Sequence, residues 1–365
     1  MKKVKIIAFY LPQFHAIPEN DEWWGKGFTD WVNVRKAKKI FKGHEQPRIP
    51  LNDNYYDLSK VETIKMQAEI AEKYGVYGFC FYHYWFAGGK KLLEKPSEIL
   101  LANKDIKLPF CFSWANEPWA RTWDGRNSSI LMPQEYGTER EWAEHFEYLL
   151  PFFKDSRYIK ENNRPVFLLY KSSSISRCLD MMNMWEKLAK EAGFEGMHFV
   201  ETLRGKNDEV RNLPFKAKVE FEPSVTDYKI PSLALFYRRI RKRFLNIINK
   251  VFRTAIPLYK PWTFSYIAER SLNQFAPEGT YAGAFVGWDN TPRKGLSGTI
   301  ILPPTKEEFK DYLRKKIRIA INKYHTDYLF INAWNEWAEG TYLEPDALNG
   351  YDYLEAIKEI QTEIQ

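Results

Sequence analysis

Short apolar or alternating segments recur along the chain, and amphipathic segments with helical spacing separate most of them. The apolar runs predict strands near 4–10, 76–84, 109–114, 165–170, 197–203, 217–222, 282–287 and 327–334. Three helix starts carry capping boxes. Ser59-x-x-Glu62 opens a segment with Val61, Ile64, Ala68 and Ala71 on one face, ended by Gly75. Thr138-x-x-Glu141 opens another, with Trp142, Phe146, Leu149 and Phe153 as its stripe. Thr305-x-x-Glu308 opens a third, with Phe309, Leu313, Ile317 and Ala320. Eight strands interleaved with helices predict an α/β fold, a single (β/α)8 TIM barrel over residues 1–365. No repeat, low-complexity tract or linker divides it. The long connections at 11–58, 115–137, 223–264 and 288–304 all follow predicted strands. That places them at the C-terminal face, where barrel enzymes build their sites.

The eighth strand ends in Tyr328-Leu-Phe-Ile-Asn-Ala-Trp-Asn-Glu-Trp-Ala-Glu-Gly-Thr341. Alternation sends Leu329, Ile331 and Ala333 outward and Phe330, Asn332, Trp334 and Glu336 inward. Glu339 joins Glu336 on one side only if the chain turns helically after Asn335. Two acids hemmed in by Trp334 and Trp337 suit cleavage of a glycosidic bond. One must stay protonated to help the leaving oxygen depart, while the other is ionised. A second acidic segment, Trp114-Ala-Asn-Glu-Pro-Trp119, follows the third strand. There Asn116 and Glu117 are candidates for sugar hydroxyls, and Trp114, Trp119 and Trp123 for stacking faces. Further polar groups at predicted strand ends are Tyr10, Gln13 and His15, then Tyr82, His83 and Tyr84, then Glu201. Glu220 and Glu222 alternate with Val219 and Phe221 and are expected to face inward; Trp288 and Asp289 follow the seventh strand.

Aromatic content sharpens this picture: Phe 25, Tyr 22 and Trp 13 make up 16% of the chain. That excess suits either a carbohydrate cleft or an aromatic-rich core. Cys80, Cys111 and Cys178 are widely spaced, and neither they nor the six His have metal-ligand spacing, so no metal site is expected. The phosphate-loop and dinucleotide fingerprints and the Asp-x-Asp clamp of many nucleotide-sugar transferases do not occur; no cofactor is expected. The first residues lack the apolar run of a signal peptide, and no stretch is apolar enough to span a bilayer, which points to the cytoplasm.

The net charge of +7 is concentrated. Nine Lys and Arg, with no Asp or Glu, fall between Lys229 and Lys260. Within this stretch Phe236, Ile240, Phe244, Ile247, Ile248 and Val251 recur at helical steps, predicting a basic amphipathic helix over 236–253. It suits either peripheral contact with an anionic membrane or a helix resting on its own domain with a solvated basic face. No DNA- or RNA-binding motif accompanies it, so nucleic acid is not an expected partner.

Five segments together carry a resemblance: Ala8-Phe-Tyr-Leu-Pro-Gln-Phe-His15, Gly27-Phe-Thr-Asp-Trp-Val-Asn-Val34, Phe79–Trp85, Trp114–Gly125 and Trp334–Gly340. They resemble the WbsX-type proteins of polysaccharide gene clusters, grouped with glycoside hydrolase family 99-like domains. The resemblance covers nearly the whole chain. It implies a metal-free (β/α)8 enzyme that cleaves α-mannosides with retention. The family's catalytic Asn-Glu-Trp-x-Glu is matched by Asn335-Glu336-Trp337-Ala338-Glu339. By that match Glu336 would deprotonate the sugar's 2-hydroxyl, which attacks the anomeric carbon to give a 1,2-anhydro sugar. Glu339 would protonate the leaving group and then activate water. The segment Trp114–Trp119 and the basic insertion at 229–260 depart from family 99 as matched here, so sugar and linkage do not carry over. A glycosyltransferase of surface-polysaccharide assembly, working on a lipid-linked glycan, is the alternative.

Overall fold

The structure, a computed structural model, describes residues 4–122, 128–205, 213–228, 232–254, 256, 258 and 260–363. Eight parallel strands form a closed barrel: β1 Lys5–Tyr10, β2 Gly78–Trp85, β3 Phe110–Trp114, β4 Arg164–Leu169, β5 His198–Leu203, β6 Ala217–Glu220, β7 Thr280–Phe285 and β8 Tyr328–Asn332. Each pairs with its neighbour in sequence, and Lys5 opposite Tyr328 closes the ring. The predicted (β/α)8 TIM barrel is the observed fold.

Strands buried on both faces read as continuous apolar runs. The interior is filled largely by rings: Phe9 lies 5.1 Å from Phe221, 5.6 Å from Phe330 and 5.8 Å from Tyr82, centroid to centroid. Much of the aromatic excess is therefore core.

Twelve helices are described: α1 Pro18–Trp24, α2 Asp30–Lys36, α3 Val61–Lys73, α4 Lys95–Ala102, α5 Glu139–Lys154, α6 Cys178–Glu191, α7 Ser224–Tyr228, α8 Ser232–Phe252, α9 Phe264–Leu272, α10 Thr291–Lys294, α11 Lys306–Asn322 and α12 Asp352–Glu363. The apolar stripes expected on α3, α5 and α11 are the buried faces. Two of the three capping boxes form. The Thr138 amide donates to Glu141 at 2.8 Å and the Thr305 amide to Glu308 at 2.9 Å. The third does not: Lys60 caps α3 without a side-chain bond, and the Ser59 amide turns back to Asp57 at 2.8 Å.

The inward reading of Glu220 and Glu222 is overturned. Phe221 takes the inside position, so both acids face the outer helices. Glu220 accepts from Lys316 of α11 at 2.9 Å and from Tyr324 at 2.6 Å. Glu222 accepts from Ser271 of α9 at 2.5 Å and from Thr226 at 3.0 Å. The buried Lys316 cation bridges the two carboxylates outside the cleft lining, 2.9 Å from Glu220 and 3.4 Å from Glu222. Among the described residues no helix is long and apolar enough to cross a membrane.

Candidate active site

At the C-terminal end of the barrel a cleft of about 670 Å³ opens between the loops. Leaving β8, the chain forms a tight hairpin in which Asn335–Glu336 pairs with Thr341–Tyr342. A single 3₁₀ turn, Trp337–Glu339, lies between, closed by Gly340 at φ +61°. A side chain at Gly340 would press on Asp289, its Cβ 2.8 Å away, so glycine is required twice over. This turn is the helical step that brings Glu336 and Glu339 into one cleft.

The hairpin is held from behind. Asn335 accepts from the Leu11 amide at 2.8 Å and donates to the Leu11 carbonyl at 3.0 Å, tying the turn to the exit of β1. The Trp337 ring stacks on Tyr342 at 3.8 Å, and its Nε1 donates to Glu344 at 2.6 Å. Glu344 also accepts from Trp334, Tyr56 and Gln67 at 3.0, 2.7 and 2.7 Å, so one buried carboxyl gathers four donors. Burial pushes that carboxyl up to about 7 while the four donors pull it back. Trp334, expected inside, is instead turned toward Phe79, 4.6 Å away, because regular alternation ends with β8 at Asn332.

The two cleft acids sit in unlike surroundings. Glu336 is buried and its Oε2 has no hydrogen-bond partner. Burial first, then the charges of Glu339 and Asp30, raise it to about 8 against the pull of Arg293. Glu339 accepts from Arg293 Nη1 at 2.7 Å, and Arg293 Nη2 reaches Asp30 of α2 at 2.7 Å. Burial therefore favours the protonated form of Glu336, while Glu339 is held by the Arg293 guanidinium.

A second polar station faces them. Glu117, on the loop after β3, accepts from Lys171 at 2.7 Å and from Arg204 at 3.1 Å. Burial pushes its carboxyl up, but these two cations outweigh that and hold it below the usual range. Asn116 is wholly buried and clamps Lys171, accepting from its amide at 2.8 Å and donating to its carbonyl at 2.9 Å. Trp119 and Trp288 line the cleft with Tyr82, Tyr84, Tyr170 and Phe221. Trp119 meets Tyr84 edge-on at 5.1 Å.

Several expected substrate contacts lie elsewhere. Tyr10 is fully buried against the helix layer and donates to Gln67 of α3 at 2.7 Å. His83 points outward from β2 to His145 of α5, Nε2 to Nε2 at 2.8 Å; burial, with Lys91 nearby, pushes it down to about 3. Its neighbours Tyr82 and Tyr84 take the cleft side. Trp114 is buried with its Nε1 on the Trp85 carbonyl at 3.1 Å. His15 is buried outside the cleft lining. Glu222 faces the helices as described, and Asn335 and Trp337 support the turn from behind. Trp123 lies outside the described residues.

Asn332, expected inside, lines the cleft, as do Arg293 and Asp30, for which no functional role was expected from the sequence. Asp30 lies inside the segment Gly27–Val34, but no local pattern ties it to Arg293, 263 residues away.

Residues 6–357 match the family described as glycosyltransferase WbsX. Over 359 residues the chain is 36% identical to the uncharacterized protein WxcX of Xanthomonas campestris pv. campestris, in strains B100 and ATCC 33913; the match covers 98% of this chain. The chain spans about half the length of those relatives, 49%. Among solved structures it is similar to the GH99 endo-alpha-mannosidase from Bacteroides thetaiotaomicron, with TM-score 0.55 and 14% identity, covering 98% of this chain and 96% of that one. A glycoside hydrolase-like protein gives TM-score 0.56 at 13% identity, covering 99% and 94%. At such identities the likeness shows a shared barrel fold. The family match over nearly the whole length shows that the chain belongs to the WbsX glycosyltransferase family.

Proposed function

We propose that the protein is a carbohydrate-active enzyme that breaks an α-mannoside-like bond of a bacterial polysaccharide or oligosaccharide with retention. The observation that carries this reading is the unlike acid pair. Buried Glu336 has an unpartnered oxygen and shares the cleft with Glu339, which is paired to Arg293. Cleavage needs one proton on the pair, and the cleft holds it there through the neutral range.

In the proposed sequence Glu336 takes the proton of the 2-hydroxyl as that oxygen attacks the anomeric carbon. The bond to the leaving oxygen breaks, and Glu339 protonates that oxygen. Water deprotonated by Glu339 then opens the 1,2-anhydro sugar, and Glu336 returns its proton to the 2-oxygen. The proton resting on Glu336 in the free cleft must reach Glu339 before the bond breaks. A transfer within the pair on substrate binding meets that need. Glu117 is a hydroxyl acceptor and Trp119 and Trp288 are stacking faces for the sugar.

The family's description as a glycosyltransferase supports a second reading, transfer of the same glycosyl unit to an acceptor hydroxyl in place of water, for which we propose a lipid-linked glycan of surface-polysaccharide assembly. Both readings need the 2-hydroxyl. Replacing the substrate by its 2-deoxy analogue should abolish turnover; turnover at an equal rate would overturn the neighbouring-group route.

A further inference from the structure

Helix α8, Ser232–Phe252, carries a feature that cleft chemistry does not use. Its apolar residues are exposed: Phe236, Tyr237, Phe244, Ile247 and Val251 are each 55–65% accessible, and Leu233 and Ile240 complete the row. At 100° per residue these seven form one continuous stripe roughly 100° wide along the helix. Exposed Arg239, Arg243 and Lys250 border it on one side and Arg241 on the other. The opposite side rests on the protein. Leu245 is buried, the Arg238 guanidinium lies 4.4 Å from the centre of the Trp262 ring, and Asn249 donates to the Ile256 carbonyl at 2.8 Å. The helix is thus fixed to the body with its apolar stripe facing away from it.

We infer that α8 docks the protein onto the surface of an anionic lipid bilayer, with the apolar stripe in the acyl boundary and the flanking cations on the headgroups. Seven large apolar side chains left in water cost free energy that burial recovers. The bordering cations select what buries them. No acidic residue lies between 229 and 260, so a second copy would bring the same positive field against itself. A nucleic acid would meet the cations but leave the stripe unsatisfied. A bilayer with anionic headgroups meets both. Trp262, on which Arg238 of α8 rests, bridges to Ile301, the strand partner of cleft-lining Trp288, so docking happens beside the end of the barrel where the cleft opens.

Flotation of the whole chain with vesicles tests this. Phosphatidylcholine vesicles containing a quarter phosphatidylglycerol should carry the protein up at low salt, and pure phosphatidylcholine at least tenfold less. Each flanking cation contributes about fivefold, so Arg239→Gln, Arg241→Gln, Arg243→Gln and Lys250→Gln together should leave it in the soluble fraction. The triple variant Phe236→Ser, Phe244→Ser and Ile247→Ser should also fail to float. Both variants should melt as wild type does, since the altered side chains are exposed. Equal flotation with both vesicle types, or flotation unchanged in either variant, would overturn the inference. So would a wild type that does not float, or a lipid-free dimer that the serine variant dissociates. None of these readouts depends on the proposed chemistry.

Discussion

Arg293 holds Glu339 at 2.7 Å with one guanidinium nitrogen while the other holds Asp30 at the same distance, so one cation restrains two carboxylates beside a third. Removing it leaves Glu339 and Asp30 unbalanced next to Glu336. Arg293→Gln should lower kcat/KM by about 10²-fold, the loss typical of one preorganised charge in a cleft. The Arg293 side chain is 29% accessible, so its stability loss should be about 2 kcal/mol, below that of a fully buried pair. Arg293→Lys should recover part of both. Steady-state kinetics and thermal melting check this; activity within twofold of wild type would remove Arg293 from the account.

The working form of the pair carries one proton, and the group that loses it at the alkaline end is Glu336, at about 8. A plot of kcat/KM against pH should therefore fall tenfold per unit above about pH 8. The like charge of Glu339 is part of what holds Glu336 up. In Glu339→Gln, where no acid is left to receive the proton and Glu336 works only as a base, the alkaline limb should disappear from whatever activity remains. A plateau persisting to pH 10 would show that the pair needs no proton.

Function at Glu336 is bought with stability. Its folded carboxyl ionises at about 8 rather than 4.5, so the unfolded chain releases that proton first as pH rises. Folding therefore loses stability between those two values, by about 3 kcal/mol at pH 7. Glu336→Gln should abolish turnover while raising the melting temperature at pH 7, and the gain should vanish near pH 4. Glu344→Gln should do the opposite. Four donors converge on that carboxyl, and an amide sets its own NH₂ against two of them. A destabilised Glu336→Gln would contradict the buried-acid account.

Glu117 is charged between Lys171 and Arg204, which fits it to accept sugar hydroxyls rather than to exchange protons. Glu117→Gln should raise KM about tenfold with the alkaline limb unmoved, the effect of one lost charge-assisted hydrogen bond. A shifted limb would instead make Glu117 part of the proton inventory.

The barrel was legible because eight short apolar or alternating runs recur along the chain and amphipathic helical segments separate most of them. Which face of each strand meets the cleft was less so. In a parallel barrel both faces are buried and apolar, and a one-residue slip exchanges them. That slip separates His83 from Tyr82 and Tyr84, and Glu222 from Phe221. The acid pair was legible because its three-residue spacing and the closing Gly340 are local. Arg293 and Asp30 were not, since α10 and α2 lie far apart in sequence and only the folded barrel sets Arg293 between Asp30 and Glu339.

The central claim is that this cleft breaks a glycosidic bond through Glu336 and Glu339. The most direct measurement is mass spectrometry of products formed in heavy-oxygen water from a panel of α-mannan oligosaccharides and bacterial polysaccharides, beside Glu336→Gln. The account predicts heavy oxygen at a new reducing end with the wild type and none with the variant. Label at the same rate in Glu336→Gln, or unaltered glycans throughout the panel even with lipid-linked donors and acceptors supplied, would contradict it.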